Sequence, residues 1–166
     1  MKTIVIGLGN PILGDDGVGW AVVSRLRPQI ESFGAEVDWM AEGGLGLMER
    51  VVGYERLIVV DSLETGQFPT GTVVTLKLDD LPNPFIGHMG SAHETNLRTA
   101  LELGRNLGAQ VPDQVDIVAI ESPYVYDFSE ALSAEIESAV PQAASRVLAL
   151  LEESLPVKEG AIYGVA

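Results

Sequence analysis

The chain is 166 residues long, 46% hydrophobic and 20% charged, which suits one compact domain with a full core and would make two domains cramped. Lys and Arg total 10 against 24 Asp and Glu, and the net charge of -14 argues against a nucleic acid or an anionic membrane as partner, whereas a basic or metal-bearing partner fits better. With no cysteine there is no disulfide framework, zinc ribbon or thiol nucleophile, so any metal must take oxygen or imidazole ligands.

The opening MKTIVIGLGN has a short apolar run that breaks at Gly7, too short for a signal segment or a membrane span, and the chain reads as cytoplasmic. Within it, Thr3 to Ile6 is a β-branched run closed by glycine, the pattern of a buried parallel strand. Gly17 to Arg27 carries Val18, Ala21, Val22 and Leu26 at helical spacing and is expected to stop before Pro28. Ala35 to Met40 alternates as a strand, Glu42-Gly43-Gly44-Leu45-Gly46 is a glycine loop, and Leu47 to Val52 fits a short helix. Trp20 and Trp39 fall at apolar positions and are expected in the core. Leu57 to Val60 is the most apolar strand, with Asp61 where it should end. The connection to the next strand, Thr72 to Leu78, is too short for a parallel crossover, so that strand is expected to run antiparallel.

Ser91-Ala92-His93-Glu94 has the spacing of a capping box and is expected to open a helix with an apolar face of Leu97, Ala100, Leu101, Gly104 and Leu107. His93 then lies in its first turn. Val115 to Ile120 is the last strand, ending at Glu121-Ser122-Pro123, and Leu132 to Leu151 is helical with a break at Pro141. The fold expected is a three-layer α/β/α arrangement, with a twisted, mostly parallel five-stranded sheet that includes one antiparallel strand. One domain over residues 1–153 and a C-terminal tail over 154–166 are expected.

In such sheets a ligand sits beyond the carboxyl ends of the strands, near the point where strand order reverses. Asp16, Glu42, Asp61 and Glu121 belong at or just after strand ends, so acidic residues gather along one edge. Gly7-Leu8-Gly9-Asn10 resembles the start of a dinucleotide fingerprint, but the third glycine is misplaced, and Asp15 and Asp16 would occupy a loop where a pyrophosphate needs bare amides. Each candidate has a plainer reading by itself: Asp15-Asp16-Gly17 as a helix cap and turn, Asp61 as a turn residue, His93 as a hydrogen bonder at a helix start. Together, Asp16, Asp61 and His93 offer two carboxylates and one imidazole, a set that suits a divalent transition metal with open positions. His88, in a glycine-flanked loop, is the weaker ligand candidate. Neither a His-Glu-x-x-His motif nor a Gly-x-Ser-x-Gly elbow is present.

Nearly end to end, the chain resembles the [NiFe]-hydrogenase maturation endopeptidases. The resemblance is carried by Gly7-Leu8-Gly9-Asn10-Pro11-Ile12-Leu13-Gly14-Asp15-Asp16-Gly17-Val18-Gly19, Ile58-Val59-Val60-Asp61, Ser91-Ala92-His93 and the C-terminal helices from Leu132-Ser133. It implies a twisted five-stranded sheet between helices. It also implies removal of the C-terminal extension of a [NiFe]-hydrogenase large-subunit precursor after nickel insertion, with substrate-borne nickel as the recognition point. By that resemblance Asp16 (a position the family also fills with Glu), Asp61 and His93 correspond to the nickel-binding, catalytic residues, and zinc or cadmium are expected surrogates. Well-known members carry Asp-Gly-Gly-Thr where this chain has Glu42-Gly43-Gly44-Leu45; Glu42, Gly43 and Gly44 are candidate substrate contacts. Two alternatives stand beside this reading. Peptidyl-tRNA hydrolases also open with a strand and Gly-Leu-Gly-Asn-Pro, but need a histidine soon afterwards that this chain lacks. A nickel-binding chaperone would hold the metal without cutting, and attack by water leaves no motif to separate the two.

Overall fold

The computed structural model describes residues 1–80, 96–123 and 127–154. Strands β1 (Thr3–Leu8), β2 (Glu36–Met40), β3 (Arg56–Leu63), β4 (Val73–Lys77) and β5 (Gln114–Glu121) form one sheet in the order β2-β1-β3-β5-β4. β1 pairs in parallel with β2 and β3, and β3 with β5, while β4 runs antiparallel to β5. The antiparallel strand is the one whose connection was too short for a crossover.

Helices α1 (Val18–Ser32), α2 (Gly44–Arg50), α3 (Leu97–Asn106) and α4 (Ala134–Glu153) cover both faces. Strand alternation assigns the faces. Ile4, Ile6, Leu8, Leu57, Val59 and Leu63 pack with Leu47, Met48, Leu97 and Leu101 from α2 and α3. Val5, Ile58, Val60, Val118 and Ile120 pack with Val18, Val22, Leu26, Val140 and Val147 from α1 and α4. The expected three-layer α/β/α architecture is the observed one, and among the described residues no helix is long and apolar enough to cross a membrane.

Several local expectations need correction. α1 runs through Pro28 to Ser32, and α4 runs unbroken through Pro141. Both prolines face solvent, where water can take over the carbonyl that a missing N–H leaves unpaired, while buried Leu26 and Ile30 hold α1 to the sheet on either side of Pro28. β3 does not end at Asp61; pairing with β5 carries it on through Ser62 to Leu63. α3 starts at Leu97 and is capped by Asn96, whose side chain accepts the Thr99 N–H at 2.9 Å, so the cap is not Ser91. Residues 81–95, including His88 and His93, lie outside the described residues, as does the expected tail beyond Ser154. Leu107 is exposed rather than part of the apolar face of α3. Trp20 and Trp39 are only half-buried, and each uses its indole N–H at the surface of the core, on Met40 O and Ser24 Oγ respectively.

The amino end of the sheet is closed by a buried ion pair. Arg56, 1% exposed, donates to Asp116 Oδ2 through Nε (3.0 Å) and Nη2 (2.7 Å), and through Nη1 to the Leu150 carbonyl (2.7 Å) in the last turns of α4. Removing Arg56 takes from buried Asp116 its two-pronged partner, while its other donors, Lys77 Nζ and Gln114 Nε2, stand at 3.3 Å. Arg56→Ala is expected to cost about 3–5 kcal/mol in a urea unfolding measurement, and the double change Arg56→Met with Asp116→Leu much less. A single-variant loss under about 1 kcal/mol would show that the pair contributes no such constraint.

Candidate active site at the carboxyl edge of the sheet

From β1 the chain leaves toward β2 on one side, while β3 leads to β5 on the other, so strand order reverses between β1 and β3. This is where an open α/β sheet leaves a crevice. Asp16 lies in a 3-10 turn, Gly14–Gly17, between β1 and α1, and Asp61 lies near the end of β3. The structure therefore places both carboxylate candidates at the same switch point.

The turn is held there by backbone contact. A Cβ on Gly19 would lie 2.2 Å from Val60 O and 2.6 Å from Leu8 O, and one on Gly7 would lie 2.6 Å from Gly19 O. The first turn of α1 thus sits directly on the ends of β1 and β3, closer than any side chain would allow. Asp16 then folds back over its own loop: its Oδ2 accepts the Asn10 N–H at 2.9 Å. That amide is one a phosphate would have required, so the Gly-x-Gly turn is already occupied from within.

Ser62 links the two candidates. Its N–H donates to Asp61 Oδ1 at 2.8 Å, and its hydroxyl approaches Asp16 Oδ1 at 3.5 Å. Asp61 is fully buried and Asp16 half-buried. Alternation along β3 puts Asp61 with Val59 and Leu63, on the α2/α3 face, and Ser62 on the α1 face, where Asp16 arrives. Ser62 was missed from the sequence; its only signal was a hydroxyl beside an acid at a strand end.

The neighbouring acids serve other purposes. Asp15 accepts the N–H of Ser133, the cap residue of α4, at 2.6 Å, and so ties the turn to that helix. Glu121, buried at the end of β5, accepts Thr65 N (2.9 Å), Thr65 Oγ1 (3.0 and 3.1 Å) and Gly66 N (2.8 Å), which fixes the β3–β4 loop. Glu42 is exposed just past β2. Gly43 and Gly44 are buried at the start of α2, where Gly44 has φ of 59°, a conformation that favours glycine. Among the described residues no group of three His, Cys, Asp or Glu side chains is placed to hold a metal. The third predicted ligand, His93, lies outside them.

Residues 22–150 match the family described as hydrogenase maturation protease. The hydrogenase 2 maturation protease of Escherichia coli K12 is 26% identical over 155 residues, 93% of each chain. A putative hydrogenase maturation protease of Methanocaldococcus jannaschii is 32% identical over 148 residues, covering 87% of this chain and 93% of the relative. Among solved structures, the hydrogenase maturating endopeptidase HybD of E. coli superposes with a TM-score of 0.71 at 25% identity, covering 93% of this chain and 94% of that one. A [NiFe] hydrogenase maturation protease from Thermococcus kodakarensis shares the fold, with a TM-score of 0.63 at 22% identity over 91% of this chain and 99% of that one.

The glycine contacts lead to a paired test. Gly19→Ala drives a methyl into two backbone carbonyls that cannot yield, and is expected to cost about 1–3 kcal/mol or more in thermal or urea unfolding. Gly46→Ala, in α2 with nothing within 4 Å of the added carbon, is expected to be neutral or to stabilise by up to about 1 kcal/mol. Equal effects at the two positions would refute close approach as the reason for Gly19.

Proposed function

The chain belongs to the hydrogenase maturation protease family, and from that premise we propose that it removes the C-terminal extension of a [NiFe]-hydrogenase large-subunit precursor once nickel is in place. The observation that carries this reading is that Asp16 and Asp61 both stand beside Ser62 at the carboxyl edge of the sheet, by the switch point. Two carboxylates on one crevice can complete the coordination of a cation that arrives on the substrate.

In this proposal His93 is the third ligand and supplies the imidazole. Two features of the fold support it. α3, which begins four residues after His93, packs on the same sheet face that Asp61 occupies, and Leu97 and Leu63 belong to one apolar cluster. The nickel is cargo of the substrate, so recognition of a filled precursor and positioning of the scissile bond become the same event. Hydrolysis then requires water to lose a proton beside the scissile carbonyl. Either the substrate-borne nickel polarises the carbonyl or the water, or a carboxylate at the site accepts the proton. Glu42, exposed beyond β2 on the same edge, is proposed as a substrate contact with Gly43 and Gly44 at the base of its loop.

The decisive experiment compares nickel-loaded and nickel-free precursor by mass. Wild-type protein is expected to shorten only the loaded form; efficient cutting of the nickel-free form would overturn nickel as the recognition point. Asp16→Asn, Asp61→Asn and His93→Ala are each expected to lower cleavage at least about a hundredfold with unchanged circular dichroism. Full activity of any of them removes that residue from the set. Glu42→Gln should slow cleavage without altering zinc or cadmium binding, whereas unchanged cleavage would leave its loop a simple strand-to-helix connection.

A further inference from the structure

We infer that Ile12 and Phe128 form an apolar shelf beside the carboxylate pair, on which an apolar segment of the precursor protein docks. The inference rests on the proteolytic reading above and names the surface through which the substrate is held.

Leu13 and Ser129 form an isolated parallel bridge, with Ser129 N–H donating to Ile12 O at 2.9 Å and Gly14 N–H to Ser129 O at 2.7 Å. The Ser129 N–H on the Ile12 carbonyl brings the backbone of Ile12 against the segment that carries Phe128, and both side chains are exposed. Ile12 is 47% exposed and Phe128 84% exposed. A phenyl ring so fully in water on a backbone this well fixed is costly to keep unless something covers it. The fixing is thorough, because the same turn is tied to α4 through Asp15 and Ser133. Four residues after Ile12 comes Asp16, so whatever covers the shelf lies against the candidate site as well. The first turn of α2 and the loop after β3 each add one exposed apolar side chain, Leu45 and Phe68.

Charge selects the occupant. A second copy of this chain would bring its own charge of -14 and its own carboxylates against Asp16 and Asp61, and a nucleic acid or anionic membrane would be repelled in the same way. What remains compatible, within the proposed reading, is a precursor whose own cation meets the carboxylates while an apolar segment beside it covers the shelf. Affinity supplied by apolar contact also persists at salt concentrations that screen an acidic protein from its partners.

The test measures kcat and KM for cleavage of nickel-loaded precursor by wild type, Ile12→Ser, Phe128→Ser, Phe128→Leu and Leu107→Ser. Leu107, 75% exposed at the end of α3, lies toward the amino end of β5, away from the shelf, and serves as control. Phe128→Ser is expected to raise KM about tenfold and Ile12→Ser about threefold, with kcat little changed, while Phe128→Leu largely restores KM and Leu107→Ser leaves it alone. Unchanged KM in both shelf variants, or an equal rise in Leu107→Ser, overturns the shelf while leaving the proteolytic reading intact. A wild-type protein that leaves loaded precursor uncut overturns that reading, and the shelf as its substrate surface falls with it.

Discussion

The contact on which the site depends contains no side chain. The first turn of α1 rests on the carbonyls of Leu8 and Val60 because Gly19 has no Cβ to hold it off, and Gly7 gives the same clearance from the strand side. Packed interiors do not deform to admit an extra methyl at such distances. With the helix seated this low, the 3-10 turn before it projects over the end of β3, and Asp16 reaches the level of Asp61 and Ser62. A helix held off by ordinary side chains would carry Asp16 away from the crevice and from the end of β3, where Asp61 stands.

Around that contact, the acidic residues divide according to what the backbone offers them. Asp116 is neutralised by Arg56 at the amino end, where the pair joins β3, β5 and the last turns of α4. Glu121 is consumed by donors of the β3–β4 loop, and Asp15 by the amide of Ser133, the residue before α4. A carboxylate that accepts several short hydrogen bonds from fixed amides is a structural tie. Asp16 also accepts an amide, that of Asn10, but it and Asp61 both stand beside Ser62 at the topological switch point. An overall charge of -14 excludes classes of partner, whereas the position of two of those charges marks the candidate site.

The two ends of the sheet are built for different tasks. At the amino end a desolvated ion pair ties strands and helix together. At the carboxyl end the same strands open into loops whose conformations are fixed from below, by Glu121 under one and by the Leu13–Ser129 bridge under another. Rigid loops on a rigid sheet can hold a substrate contact to the tolerance that catalysis needs. In the proposed reading this lets a protein without a resident nucleophile act on a bond placed by the substrate's own nickel.

Much of this was legible in the sequence. Strand positions, the helical covering of both faces and the antiparallel β4 follow from apolar periodicity and from a connection too short to cross over, since those signals are local. The switch-point location of Asp16 and Asp61 follows from where strands end. Other features depended on neighbours that no local pattern describes. Pro28 and Pro141 read as breaks, yet both sit on solvent faces of helices that buried residues hold in place. Asp15 and Asp16 are indistinguishable as adjacent letters. Asp15 meets Ser133 before α4, whereas Asp16 meets Ser62 of β3, which sets it beside Asp61. The sequence by itself determined which elements form and which residue types the site can use. The tertiary structure decided which acid does which job, because hydrogen bonds between residues far apart in the chain exist only once the sheet has brought them together.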